Sequence, residues 1–560
     1  MVNRMNDYSK DAWKYYEYGR AYNNSLTPNQ YTVVNTNREF FAGNQWLHMP
    51  DNEAMRRLSK PVFNIIKRVT SLFVASLTSS NTTISFEPLS LQGDNDAASF
   101  ATAEVRNLLE KFKMDYRIRD ALFDGAITGD YAAHFYWNPD ARPYGGAFGA
   151  YKGEIEMEMV DGINIMFGNP NLNDIERQPY VLVVGRDTVE NLKREAEKWG
   201  SETMSLRPDA DPYHLEIRGN DDKTGKALYV YLYTKVWNGE SFTVDVTKAT
   251  RSCNIFEDID TGLSRYPIAW GNWQRLKNQY HGRALVTEII PNQIFINQMM
   301  AMVFRHLQTQ AFPTKLYNAD LLPNISNEVG TSIGVRNLMP GQSLGDVMAT
   351  IPAANMSAQI IQAIDLCMTY TKECLGATDA QMGNVSPDNT SALMVLQNSA
   401  EVPLENTRAG LHEWIEDIGS ILLDMMGTYY GVRPIVRDGE MQLFDFSIFK
   451  QLWLNVSVDV GATSYYSEIA MVQTLDNLRH DGTLNILEYL ERMPDKLISR
   501  KQDLIDDIKA QMQLQGSMPA AQTSSKGGGS GVATQLSQLP TSIQAKYSSL
   551  PKVAQRALVK

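Results

Sequence analysis

The sequence predicts an α+β subunit, and three observations carry that prediction. Apolar residues recur at helical spacing through residues 1–130. Period-two alternation and short apolar runs dominate residues 131–275. Long apolar helical runs return after residue 282. Helices and strands thus fall in separate blocks along the chain.

Residues 7–22 are rich in aromatic side chains. Ser59-Lys60-Pro61 reads as the opening of a helix through Leu77, with Pro61 in its first turn and Val62, Ile65, Ile66, Val69, Leu72, Phe73 and Leu77 on one stripe. Further helices are expected over about 97–114 and 116–128. Tyr131–Trp137 reads as a buried strand. Gly153–Val160 alternates, with Ile155, Met157 and Met159 facing one way and Glu154, Glu156 and Glu158 the other. Asn238-Gly239-Glu240 separates Ala227–Trp237 from Ser241–Val246 and predicts a hairpin, while about 188–199 reads as a helix.

Arg283–Gln308 is helical by pattern, roughly 39 Å long at about 1.5 Å per residue. Its apolar residues are not confined to one face, so it must be covered on more than one side, in a core or between subunits. A Pro- and Gly-punctuated insert, about 311–353, precedes a second helix over about 356–375. A polar loop, 376–389, leads to a long helix over about 390–430, up to roughly 60 Å if unbroken; Pro403 is expected to kink it or reset its start. A strand pair is expected around 433–436 and 452–458, then helices at about 466–480, 484–492 and 495–511. Residues 515–560, with SSKGGGSG at 524–531, read as a flexible tail with a weakly basic end.

The 560 residues are 43% hydrophobic and 21% charged, a globular composition that predicts three or four lobes or one elongated subunit. Lys and Arg total 52 against 64 Asp and Glu, a net charge of -12, which argues against gripping nucleic acid through a broad basic face. Cys253, Cys367 and Cys374 form no CxxC and no disulfide framework, so a reducing compartment is the default. The N-terminal residues carry no apolar run of the kind a signal peptide needs. The apolar run Ile289–Phe304 contains Asn292, Gln293, Asn297 and Gln298 and is too short and too polar to span a membrane.

Catalytic motifs are absent. Gly219–Lys226 has one residue too many for a phosphate loop, is followed by Ala227, and precedes a strand instead of a helix. His412-Glu413-Trp414-Ile415-Glu416 puts Glu where a zinc helix needs its second His. The seven His residues include no pair at ligand spacing. No catalytic residue, cofactor or metal is expected. Residues 401–430 carry six acids against Arg408 alone, which marks an acidic helix face.

Four segments resemble the portal proteins of tailed bacteriophages. Tyr280-His281-Gly282-Arg283 through Pro291-Asn292-Gln293-Ile294-Phe295-Ile296-Asn297 is similar to the entry of the portal stem helix, after a strand ending at Tyr266-Pro267-Ile268. Phe40-Phe41-Ala42-Gly43-Asn44-Gln45-Trp46 resembles a segment near portal N-termini, and Lys60-Pro61-Val62-Phe63-Asn64-Ile65-Ile66 the helix start that follows it. Asn389-Thr390-Ser391-Ala392-Leu393 is similar to the opening of the long helix after the tunnel loop, without the usual Gly.

The resemblance implies a wing over 1–281, stem helices at 282–310 and 354–375, a clip at 311–353 and a tunnel loop at 376–389. It further implies a long wing helix with return strands over 390–465, crown helices at 466–514 and the tail at 515–560. In that family such subunits form a ring, typically of twelve, at one capsid vertex of the virion, assembled in the host bacterial cytoplasm. The ring passes double-stranded DNA in packaging and ejection. It docks terminase, then tail or adaptor proteins, and contacts capsid and, as a further candidate, scaffolding protein; no membrane is involved. Terminase supplies the ATPase, so the subunit is expected not to be an enzyme.

On that footing Asp379, Gln381, Asn384 and Asp388 of the tunnel loop, with Glu413, Glu416 and Asp417, are candidates to line the DNA channel. Arg305, Lys315 and Arg336 are candidates for stem or clip contacts, and Ile289, Ile296, Met300 and Val303 for packing between subunits. The alternatives are another head–tail connector or minor capsid protein without a DNA channel, and a cytosolic enzyme of unrecognised type.

Overall fold

The computed structural model describes residues 12–47, 59–78, 82–89, 95–143, 149, 151–201, 206–208, 225–310, 314–317, 340–341, 343, 345, 348–352, 355–377, 402–437, 440–452, 454–460, 465–480, 484–493, 501, 504, 505 and 508. The chain divides into two compact units, Met1–Ser467 and Glu468–Lys560.

In the first unit, α1 (Ala12–Ser25) and α2 (Gln30–Ala42) come before α3 (Ile65–Leu77). Asn29 caps α2 by accepting from the Tyr31 and Thr32 amides. α3 starts at Ile65, not at Pro61, because Asn64 is its cap: its side chain accepts from the Lys67 amide. β1 (Thr82–Pro88) follows, then α4 (Asn95–Lys111) and α5 (Met114–Thr128). β1 lies inside the stretch read as helical. Its partner is β14 (Leu454–Val460), some four hundred residues on, so no local pattern announces it. Leu452–Val458 therefore does not pair with 433–436; the partner of β12 (Val432–Arg437) is β13 (Glu440–Asp445).

β2 (Asp130–Asn138), β3 (Glu154–Asp161) and β9 (Ile268–Asn272) form an antiparallel sheet in the order β3-β2-β9. Ile155 and Met157 of β3 face the core, as their alternation predicts. β4 (Ile165–Phe167), β5 (Tyr180–Thr188), β6 (Lys226–Trp237), β7 (Phe242–Thr250) and β8 (Asn254–Asp260) form a five-stranded antiparallel sheet in sequence order. The β6–β7 hairpin pairs Trp237 with Phe242, and Asn238 Oδ1 accepts from the Glu240 and Ser241 amides across the turn. α6 (Val189–Trp199) is capped by Thr188.

α7 (Leu285–Gln310) and α8 (Ala358–Leu375) pack together, with the short ladder β10 (Thr314–Tyr317) and β11 (Met348–Ile351) inserted between them. α9 (Glu405–Tyr429) opens after a 3-10 turn, Val402–Leu404, which holds Pro403 just before the helix start. Residues 390–401 lie outside the described residues, and α9 itself spans about 37 Å at 1.5 Å per residue. Leu411, Trp414, Ile415, Ile418, Leu422, Met425 and Met426 make it the central rod of the main core. At Gly419 a Cβ would lie 2.9 Å from Val456, so glycine lets α9 lie against the β1–β14 ribbon.

The second unit holds most of α10 (Tyr465–His480), and α11 (Ile486–Arg492), whose capping box joins Asn485 and Glu488. Leu475, Tyr489, Leu490 and Ile505 form its small core.

Candidate functional site

The Tyr280-His281-Gly282-Arg283 segment delivers the chain into α7, and a buried carboxylate fixes it there. Asp130, at the start of β2, accepts through Oδ1 from Asn272 Nδ2 at 2.7 Å and from the Gly282 amide at 2.6 Å. His281 Nδ1 donates to its Oδ2 at 2.6 Å, since a carboxylate has no proton to give back. The far ring nitrogen, Nε2, lies 2.9 Å from Asn23 Oδ1 of α1. The His281 and Asp130 side chains are 3% and 2% exposed. A carboxylate so far from water is tolerated because both of its oxygens are bonded. Glycine is required where the backbones cross: a Cβ on Gly129, at φ +103°, would stand 2.4 Å from the Gly282 carbonyl oxygen.

About two turns into α7 a second buried network begins. Gln293 Oε1 accepts from the Ile65 amide at 3.0 Å, and its Nε2 donates to the Phe63 carbonyl at 2.8 Å and to Asn297 Oδ1 at 3.0 Å. Asn297 Nδ2 donates to Gln45 Oε1 at 2.6 Å, and Gln45 Nε2 to the Phe40 carbonyl at 3.0 Å. Trp46 Nε1 donates to the Pro61 carbonyl, and Asn64 Nδ2 to the Phe41 carbonyl. The segments around 40–46, 60–66 and 291–297, distant in sequence, are thus one site, a chain of amides holding α7 against the α2 and α3 region. Gln293 and Asn297 are i and i+4, on one helix face.

Away from these networks, the α7–α8 pair carries apolar side chains into solvent. Phe295, Met302 and Leu307 of α7 and Ile361, Leu366 and Tyr370 of α8 are all at least 41% exposed. Ile289 and Ile296, candidates for packing between subunits, are instead 1% exposed within this chain, and Val303 is also buried. They face the core side of α7 and have no surface left to offer a neighbour. Met300 is half-buried, and Arg305 lies exposed on the same helix. Lys315 falls in β10, its side chain outside the described residues; Arg336, Asp379, Gln381, Asn384 and Asp388 also lie outside them.

The acids of α9 meet basic and amide groups from the segment before α7. Arg275 Nη2 lies 2.8 Å from Glu413 Oε2, and Arg265 Nη2 lies 3.2 Å from Asp417 Oδ1. Asp424 accepts from the Ser264 amide and hydroxyl and the Arg265 amide. Glu416 is exposed. The face is therefore less negative than its count of acids suggests.

Burial, with the charges of Glu413 and Glu176, pushes the Asp417 carboxyl up to about 6 against the pull of Arg265 and Arg275. The folded state then holds a proton that the unfolded chain has released above its ordinary value near 4. Stability from this group is present at low pH and declines as pH rises from about 4 to 6. Asp417→Asn should flatten that part of the stability–pH curve, by on the order of 1 kcal/mol after allowing for partial exposure. Urea titrations at several pH values check it; an unchanged slope refutes it.

Sequence reading passed over Asp130, and it gave His281, Gln45, Gln293 and Asn297 no role beyond their place in the segments similar to portal proteins. The available signal was polar amides set inside an otherwise apolar helical run. No described helix is long and apolar enough to cross a membrane. No curated protein matches the chain. Residues 239–439 match the family model of phage P22-like portal proteins, a stretch running from β7 through the α7–α8 pair and α9 to β12. That match takes in the α7–α8 pair with Gln293 and Asn297, and over those residues the chain is similar to phage portal proteins.

Proposed function

We propose that the chain is the subunit of a ring at a capsid vertex of the virion, assembled in the host bacterium, that passes double-stranded DNA during packaging and ejection. The observation that carries this reading is the α7–α8 pair, rooted at one end in buried polar networks and presenting unpaired apolar side chains along its length. Such a surface on a lone chain promotes aggregation, whereas copies arranged around an axis cover one another. In this reading 1–281 and 390–465 form the wing, 282–310 and 354–375 the stem, and 466–514 the crown. The 311–353 clip docks terminase and later tail or adaptor proteins, and other faces meet capsid and scaffolding protein. The role is structural, with the motor in a separate protein. Negative-stain imaging and mass measurement of the purified chain test it: a ring with a central hole is expected, and a compact monomer at every concentration overturns it.

A conduit must not hold its cargo, because affinity rises with each phosphate neutralised. A subunit of charge -12 repels phosphate on average. We place Glu413, Glu416 and Asp417 at the channel with the 376–389 loop, and Arg305, Lys315 and Arg336 at limited contacts of stem and clip. Glu413 and Asp417 are partly countered by Arg275 and Arg265, so Glu416 carries most of the effect. Glu416→Lys should lower packaged DNA several-fold while rings still form, an effect of the size expected for one added phosphate contact per copy. Packaging at the wild-type level from Glu416→Lys rings removes this face from the channel.

A further inference from the structure

A cleft of about 890 Å³ opens between the three-stranded and five-stranded sheets of the first unit, within the size range of ligand sites and apart from the α7–α8 pair. Its walls are Tyr136 and Trp137 of β2, Tyr229, Tyr231 and Tyr233 of β6, and Tyr429 at the end of α9. Five carboxylates line it against two lysines. Both lysines already have acidic partners: Lys198 meets Asp140 at 2.8 Å, and Lys248 meets Glu195 at 2.6 Å.

Lys248 shows what the cleft recognises. Its ammonium sits 4.5 Å from the centre of the Tyr229 ring and 4.8 Å from that of Tyr231, with the Glu195 carboxylate completing the cage. The residue is 4% exposed, so a cation is held here by ring faces and a carboxylate in place of water. The same elements recur beside it. Glu158 accepts from His134 Nδ1 at 2.9 Å, and His134 Nε2 meets the Tyr233 hydroxyl at 2.7 Å. Burial pushes the Glu158 carboxyl up, but the hydrogen bond and charge of His134 and the charge of Lys248 outweigh it and hold the group below its ordinary range. Tyr136 is 37% exposed and lines the cleft, its ring 5.8 Å from that of His134.

We propose that this cleft captures an arginine- or lysine-bearing segment of a partner protein, a cationic side chain entering between Tyr136 and the β6 tyrosines with Glu158 as its counter-charge. Net negative charge excludes phosphate, so nucleic acid is not the ligand. Charge and ring faces together select a basic side chain over a merely apolar one.

The test uses the full chain and a fluorescent, end-blocked peptide of arginine and lysine spaced by glycine, with a glutamate-for-basic counterpart, read by anisotropy at physiological salt. The basic peptide should bind and the acidic one should not. Glu158→Gln and Tyr136→Ala should each weaken binding roughly fivefold, the scale of one lost cation–π or charge contact. Glu240→Gln, on the remote β6–β7 turn, should leave it unchanged. Equal binding of both peptides, or undiminished binding by both cleft variants, overturns the proposal. So does binding to the free chain that vanishes in assembled rings, which would mean that a neighbouring copy fills the cleft. Should a variant unfold, a benzophenone-bearing basic peptide decides on the wild type: crosslinks within 134–140, 229–233 or 256–260 support the cleft, and crosslinks only elsewhere refute it.

Discussion

Asp130→Ala is expected to cost the first unit about 3–5 kcal/mol, since it strips three partly or fully buried donors of their acceptor at about 1–3 kcal/mol each. Three donors lose their acceptor together: the His281 ring, the Asn272 amide and the Gly282 backbone. The Gly282 N–H is backbone and cannot find another partner by changing rotamer. Asp130→Asn keeps one acceptor oxygen but sets an NH₂ group against a donor, so an intermediate loss is expected. Urea unfolding followed by tryptophan fluorescence reads both; Trp270 and Trp273 flank the network in β9 and just after it. A wild-type midpoint for Asp130→Ala would show that His281 and Asn272 re-pair without the carboxylate. The buried network would then not be what fixes the entry to α7.

Met302→Asp combined with Leu307→Asp is expected to abolish ring assembly and leave the subunit folded. The two side chains are 50% and 45% exposed, so the isolated chain loses little when they become polar. A carboxylate forced into an apolar contact between copies costs several kcal/mol, and in a closed ring the cost recurs at each interface. Sedimentation velocity should show a single slow species with unchanged circular dichroism. Ile296→Asp supplies the contrast. At 1% exposure it should unfold the region around α7, so loss of rings there would say nothing about the interface. Double-variant rings at the wild-type threshold concentration would refute an interface through this face.

Most of the local elements were legible. The alternation of 153–160, the Asn238-Gly239 turn and the helical runs at about 188–199 and 356–375 are short-range signals, and the structure places strands, a turn and helices where they point. What failed was long-range. β14 pairs with β1 across most of the chain, and pairing of that kind leaves no mark on either strand alone. The helix start at Ile65 went to Asn64 over Pro61 because a cap that bonds an amide outweighs a ring that merely tolerates the first turn. At the site, the segments similar to portal proteins were visible one at a time. Their convergence on Gln45, Gln293 and Asn297 was not, because which buried amides meet is decided by packing. The same limit applies to Ile289 and Ile296, each 1% exposed: periodicity marks a side chain as apolar, and only the fold says whether its own chain already covers it.

The β10–β11 ladder sets Thr314 opposite Ile351 and Tyr317 opposite Met348. Chain leaving α7 and chain returning to α8 are thereby tied side by side before anything between them is specified. Sequence between 318 and 347 can then lengthen, shorten or be exchanged without altering the distance between the two helices. If that end docks partners as proposed, its preference can change while the helix pair beneath it stays as it is.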